Sequence, residues 1–398
     1  MEETRTTGQK TLTPSPLESK RGNIQIIPVE IPRNLPQFYQ VSFQIYEGNR
    51  SWAPPFFSEL KGFFSKKNPF WSHADRRLFL VTKDKEVVGR IAAIIDRLYC
   101  KTTGENIGFF GFFECINDYD CAAALLHAAQ DWLTSQGMAM MRGPIDGRID
   151  VGSGFLVNGF ESPQTLLSTY TPPYYAAFAE RFGMKKAKDL LTFAIDLTTP
   201  LPSRLEEKAR KCRASGVQVR RFHRLRTGKE LSWWIDLFLE TFQDHWGFVP
   251  VSRAEVRTRF GIQQLRWFVD TRLFLVAEIQ GTPVAYLWAT PEYNQVFRQM
   301  QGRLGIPQLL SFLLKQRSIT AGKLHLIGIR KDYRDRDIAS CLNHAAFVEM
   351  QRRGYRSAEV GWIDEENTAA RAVMAVAGAT VSKVHRVFEK PLQEATHG

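Results

Sequence analysis

Three ionisable side chains lie in or at the end of apolar stretches, where hydrophobicity alone gives no reason for them. Glu114 ends residues 107–114 (IGFFGFFE), His325 sits within 324–329 (LHLIGI), and Glu359 within 358–363 (AEVGWI). A charge among apolar neighbours is costly unless it is partnered, so each is a candidate for taking a proton from a nucleophile. The plain alternative for the two carboxylates is a strand-end group held by hydrogen bonds. A second grouping is the charged turn 330–337, with Arg330, Lys331, Arg334 and Arg336 just ahead of a helical pattern that opens at Ile338 and Ala339. Basic side chains beside a helix N-terminus offer positive charge to a phosphate. Equally, the turn suits a solvated helix start capped by Asp337.

The elements that position these groups follow from periodicity. Residues 324–329 read as a strand, 338–353 as a helix stopped by Gly354, and 358–363 as a second strand. Then comes Asn367-x-x-Ala370-x-x-x-Met374-x-x-x-Gly378. Further upstream, 78–81 and 86–93 predict a hairpin across 83–85, followed by a buried strand at 107–114 and a helix at 119–137. A second hairpin is expected from 273–278 and 283–288, after an amphipathic helix containing Trp233, Trp234 and Phe238. The Thr198–Ser203 stretch (TTPLPS) breaks the pattern. The expected organisation is a disordered tail at 1–22, one domain over 23–199 and another over 200–398. Each is a mixed α/β fold with helices on both faces of a sheet.

The 398 residues are enough for two cores, and 44% hydrophobic with 24% charged residues is ordinary for a soluble protein. No apolar run is long enough to span a membrane, and the N-terminus lacks the apolar core of a secretory signal. Five scattered cysteines without CxxC or His/Cys pairing predict reduced thiols, a cytoplasmic setting and no metal site. The net charge of +12 is the main deviation. It suits an acidic carrier protein, the inner face of an anionic membrane at which the protein would sit peripherally, or nucleic acid. The densest basic run, 204–229, has no interleaved aromatics for stacking bases, so it reads as a solvated linker and nucleic acid is disfavoured.

The strand, charged turn, helix, strand and Asn-led helix of 323–389 resemble the core of the GNAT (Gcn5-related N-acyltransferase) superfamily. In that family the turn reads Arg/Gln-x-x-Gly-x-Gly/Ala and lets backbone N–H groups meet the pyrophosphate of coenzyme A. Here Arg334 and Ala339 match, whereas Asp337 stands at the central glycine and Asp335 adds a carboxylate. Met374 stands where many members carry the Tyr that protonates the leaving thiolate, while Asn367 and Gly378 match. The first half has no such loop; its turn at 115–120 looks built only to start a helix. Further segments, among them Trp52-Ala53-Pro54-Pro55, Asn68-Pro69-Phe70 with His73, Arg142-Gly143-Pro144, His245-Trp246-Gly247-Phe248 and Trp362-Ile363-Asp364-Glu365, resemble a bacterial family of tandem GNAT-like proteins. That family is similar to the proposed bacterial ceramide synthases, and the resemblance covers nearly the whole of 23–392.

The resemblance implies two fused GNAT-like domains and an N-acyltransferase. Its acyl donor would be an acyl-CoA or acyl carrier protein thioester, and its acceptor a primary amine, sphingoid or otherwise lipidic. It also implies a donor site at Arg330, Arg334, Arg336, Ile338, Ala339 and Asn367, with Glu114, Glu359 or His325 as base, composed from both halves around a deep cleft. His245 reads as a packed helix-end residue. Aromatics at 56–57, 63–64 and 109–113 would line an alkyl channel or simply form core. Two alternatives remain open on the residues: an aminoacyl-tRNA-dependent transferase of tandem GNAT type, and a degenerate fold that binds a ligand or partner.

Overall fold

The structure, a computed structural model, describes residues 22–148, 152–260 and 270–392. Most of the expected tail, residues 1–21, lies outside them. The strands are β1 (Ile24–Pro28), β2 (Ala74–Lys83), β3 (Glu86–Asp96), β4 (Ile107–Cys115), β5 (Met140–Gly143), β6 (Phe155–Asn158), β7 (Lys185–Asp196), β8 (Gln218–Arg221), β9 (Phe274–Ile279), β10 (Thr282–Pro291), β11 (Ala321–Ile329), β12 (Ser357–Asp364) and β13 (Thr380–Pro391). The helices are α1 (Leu35–Ile45), α2 (Phe57–Phe63), α3 (Arg97–Thr103), α4 (Tyr119–Ser135), α5 (Tyr174–Arg181), α6 (Ser203–Ala214), α7 (Thr227–Thr241) and α8 (Arg253–Arg259). The chain continues with α9 (Asn294–Met300), α10 (Ile306–Lys315), α11 (Ile338–Arg352) and α12 (Thr368–Val376).

All the strands join one mixed sheet, ordered β1-β2-β3-β4-β5-β13-β7-β12-β11-β10-β9-β8, with β6 also paired to β13. The two halves meet by exchange. β13, the last strand among the described residues, lies between β5 and β7 of the first half, and β7 pairs with β12 of the second. Each half's sheet is therefore continued by a strand of the other.

Period-two alternation divides the core. On β3, Ile91, Ala93 and Ile95 face a core under α4 and α5, while Ala92 and Ile94 face the opposite side. On β10, Ala285 and Leu287 face a core under α6, α11 and α12, while Tyr286 and Trp288 face that same opposite side. There α1, α2, α7 and α8 cover a single core to which both halves contribute, including Phe38, Phe64, Trp234 and Phe238. The basic run 204–229 is no linker. α6 packs through Leu205, Ala209 and Cys212, β8 forms the sheet edge, and Arg220 is held by Glu230 and Glu278.

Candidate active site

The two halves treat the gap between their paired parallel strands differently. In the first half β4 and β5 pair over Ile107–Phe109, after which the 144–147 segment stays against β4. The Ile145 N–H donates to the Phe110 carbonyl at 2.7 Å, and the Phe112 N–H donates to Asp146. A Cβ on Gly111 would lie 2.2 Å from the Ile145 oxygen, so only glycine allows this approach. The gap is closed, and Asp118 caps α4 through the Asp120 and Cys121 N–H groups, as the sequence leads one to expect. In the second half β11 and β12 pair only from Ala321 to Leu324 and then part. β12 resumes its ladder to β7 at Ile363, beyond an irregularity at Val360. This leaves a V-shaped opening whose apex lies at Leu324 and Val360.

The charged turn stands at the mouth of that V. Asp337 takes φ of +53°, the left-handed conformation that favours glycine, so an aspartate keeps the backbone shape at the motif's central position. Its carboxylate is drawn aside by Lys208 of α6, with Nζ 2.5 Å from Oδ1. It does not cap α11, whose first turn has no side-chain cap. The carboxylate at this position is thus paired, and the N–H groups at Ile338 and Ala339 open a fifteen-residue helix. Arg330 pairs with Glu240, Lys331 and Arg334 lean on Asp244, and Arg336 lies over the Tyr333 ring. Asn367 caps α12 by accepting from the Ala370 N–H at 3.0 Å, and Gly378 follows that helix at φ +72°. The Asn-to-Gly spacing is therefore the start and stop of one short helix. Met374 is buried core, and its thioether has no proton to give a leaving group.

The three candidate bases fall into two nests. His325 is the extra residue of a bulge in β11, immediately past the apex of the V. Its Nε2 is 2.9 Å from Thr290 Oγ1, its ring packs on Trp288 at 4.7 Å, and burial pushes its pKa down to about 3. The imidazole is neutral at physiological pH. Glu359 stands at the closed end of the V, held by Lys323 Nζ at 2.7 Å and by Lys383 and Thr165. Burial opposes its charge, yet the two ammonium groups outweigh that and hold its pKa at about 2.

Glu114 belongs to the first half. It accepts from Tyr175 Oη at 2.8 Å and faces Arg90 across the β3–β4 ladder at 3.7 Å. Burial raises its pKa to about 7, against the pull of Arg90 and Tyr175. Four strands separate β4 from β11, so Glu114 is about 24 Å along the sheet from the V. One segment touches both nests: the Tyr170 carbonyl accepts from Tyr46, which also hydrogen-bonds Glu114, while Thr165 donates to Glu359. Because Glu114 has a raised pKa in the folded state, the stability it supports is complete below about pH 4.5 and is lost as pH rises through about 7. Melting of wild type and Glu114→Gln should accordingly converge at acid pH. Between pH 5 and 8 the wild type should lose more stability than the variant.

A further cluster sits where the halves meet. His73 bridges Asp96 at 3.0 Å and Glu255 at 3.1 Å, and Arg148 binds the other Glu255 oxygen at 3.0 Å. Hydrogen bonds to the two carboxylates raise the His73 pKa to about 9, so it is an imidazolium that ties α8 to the first half. Sequence reasoning missed Asp96, Arg148 and Glu255, although Asp96 carries the signal used for Glu114: a carboxylate ending an apolar strand. Beside the cluster lies a cavity of about 20 Å³ lined by Asp96, Tyr99, Phe109, Arg142, Arg148 and Trp246. That is room for about one water, not an alkyl chain. The aromatics expected to line a channel are largely core: Phe56, Phe64, Phe109, Phe110 and Phe113 are buried. Among the described residues no group of three metal-ligating side chains occurs, and no helix is long and apolar enough to cross a membrane.

A mixed sheet used twice, with a strand, charged turn and helix in its second half, is the architecture of a tandem GNAT fold. No family model matches the sequence. The chain is 30% identical over 386 residues to a protein named bacterial ceramide synthase from Caulobacter vibrioides, covering 95% of this chain and all of that one. It is 32% identical over 370 residues to Protein YghO of Escherichia coli, covering 90% and 93%. Among solved structures it superposes on a tandem GNAT protein from the clavulanic acid biosynthesis pathway with a TM-score of 0.57 at 12% identity, over 93% of this chain and 99% of that one. The chain belongs to the family of the bacterial ceramide synthase, a tandem GNAT family.

Proposed function

We propose that the protein moves an acyl chain from a thioester, carried by coenzyme A or by an acyl carrier protein, onto a primary amine of sphingoid or other lipidic type. The observation that carries this reading is the donor loop, with Asp337 left-handed and turned toward Lys208 at the mouth of the V. Full-length similarity to a protein named ceramide synthase supports the substrate class. In this reading Arg334, Arg336 and the backbone at Ile338 and Ala339 hold the donor's phosphates, Arg330 adds charge, and Asn367 positions the flanking helix. The amine nitrogen attacks the thioester carbonyl, the C–S bond breaks, and the amine's surplus proton leaves for a base.

His325 is the base this geometry favours, because it is neutral and lies at the apex of the V. Its pKa of about 3 makes it a weak base in the free protein, so it would relay the proton toward solvent and not store it. Glu359 anchors Lys323 and Lys383 in place of acting on the amine. Glu114 has a pKa of about 7, which suits a base at neutral pH, but at about 24 Å along the sheet it lies too far from the V to take a proton from an amine attacking there.

The test supplies purified protein with a long-chain acyl-CoA or acyl carrier protein thioester and a sphingoid base, with mass spectrometry of the product. His325→Ala should lower kcat by about 10²-fold or more if His325 takes the proton, and Glu114→Gln should leave kcat near the wild-type value. No N-acylated product from either donor sinks the proposal. Product formed only with aminoacyl-tRNA would replace it.

A further inference from the structure

Helix α10 is built inside out. Its ten residues (IPQLLSFLLK) bury Phe312 against Tyr293 and Phe297 and turn the polar Gln308 and Ser311 toward the protein. The leucines face outward: Ile306 is 77% exposed, Leu314 79%, and Leu309, Leu310 and Leu313 at least half, with Leu304 beside them at 63%. Positions 306, 309, 310, 313 and 314 form one stripe at helical spacing, about 12 Å long. Exposed apolar side chains scattered singly need no explanation, but six on one short segment do.

The segment that carries the stripe has charges of one sign. Arg303, Lys315 and Arg317 are exposed around it, and no Asp or Glu occurs between Glu292 and Asp332. The helix also stands on a firm base. Gly302, just before it, is so close to α1 that a Cβ would lie 2.4 Å from the Tyr39 hydroxyl, and Phe297 packs on Phe56 at 5.3 Å.

We infer that α10 docks the protein on an anionic lipid bilayer, with the leucines entering the acyl boundary and the three cations meeting headgroup phosphates. A second copy of the chain is the weaker occupant. A two-fold contact through α10 would set Arg303, Lys315 and Arg317 against their own copies, and one ten-residue helix offers little of the roughly 800 Å² per partner that a stable interface buries. This inference does not rest on the acyltransferase reading.

The experiment is sedimentation of the full chain with vesicles of phosphatidylcholine alone or with added phosphatidylglycerol, in the absence of acyl donor. Wild type should partition at least about tenfold more strongly onto the anionic vesicles. Leu310→Glu/Leu314→Glu should abolish binding to both, while Lys315→Gln/Arg317→Gln should remove most of the preference for anionic lipid. Both variants should melt as wild type. The inference is overturned if the double glutamate variant sediments like wild type, or if wild type ignores both vesicles. It is also overturned if lipid-free wild type is a dimer that the glutamates convert to monomer.

Discussion

Ala339→Asp should raise the Kd for the acyl donor about thirtyfold while leaving the fold intact. Ala339 is the second residue of α11, in the first turn of a helix that no side chain caps. A carboxylate about 8 Å from a phosphate, at an effective dielectric of 20, costs about 2 kcal/mol, which is roughly thirtyfold in affinity. The same charge is favourable to the helix dipole by about 0.3–1 kcal/mol, so the melting temperature should stay level or rise slightly. Ala339→Asn, of equal size and without the charge, serves as the control. Calorimetric titration with an acyl-CoA gives the answer. An unchanged Kd in the aspartate variant would mean that the donor's phosphates lie elsewhere.

The largest stability effect is expected at Glu359. Replacing it with Gln leaves Lys323 and Lys383, 2% and 1% exposed, without their carboxylate. Breaking a buried pair on one side costs about 3–5 kcal/mol, because a charge remains without compensation. Chemical denaturation should show this loss whatever substrate is present. Loss of product in cells carrying Glu359→Gln would then report folding, so activity must be normalised to folded protein. The acid limb has a definite sign as well. The carboxyl falls from an ordinary 4.5 to about 2 on folding, so its stabilisation is complete above about pH 4.5 and lost as pH falls toward 2. In Glu359→Gln that part of the acid transition should flatten. A variant that melts like wild type at pH 7 would show that the two lysines do not depend on this carboxylate.

What could be read from the sequence was what depends on near neighbours. The hairpin of β2 and β3, the strand β4, and helices α4 and α11 lie within a few residues of their expected bounds, because alternation, turn chemistry and helical spacing are local signals. The charged turn was visible as basic residues ahead of a helix. Its resolution was not, since the lysine that draws Asp337 aside is 129 residues away in sequence. Glu359 drew attention as a carboxylate in an apolar strand, but the lysines that fix its state come from β11 and β13. The run 204–229 looked like a linker because its charges are numerous, whereas the thin apolar stripe of Leu205, Ala209 and Cys212 is what packs. Least legible was the strand exchange. A strand's sequence records which face is buried and not which neighbour it will have.

That exchange governs the order in which the molecule can be made. When residue 199 has left the ribosome, β5 and β7 exist but β13, which will lie between them, has not been synthesised. The nascent first half carries open strand edges until residue 391 emerges, at about 5–20 residues per second some ten to forty seconds later. Unpaired edges recruit other chains, so this interval is when the protein is most exposed to aggregation and most in need of chaperones.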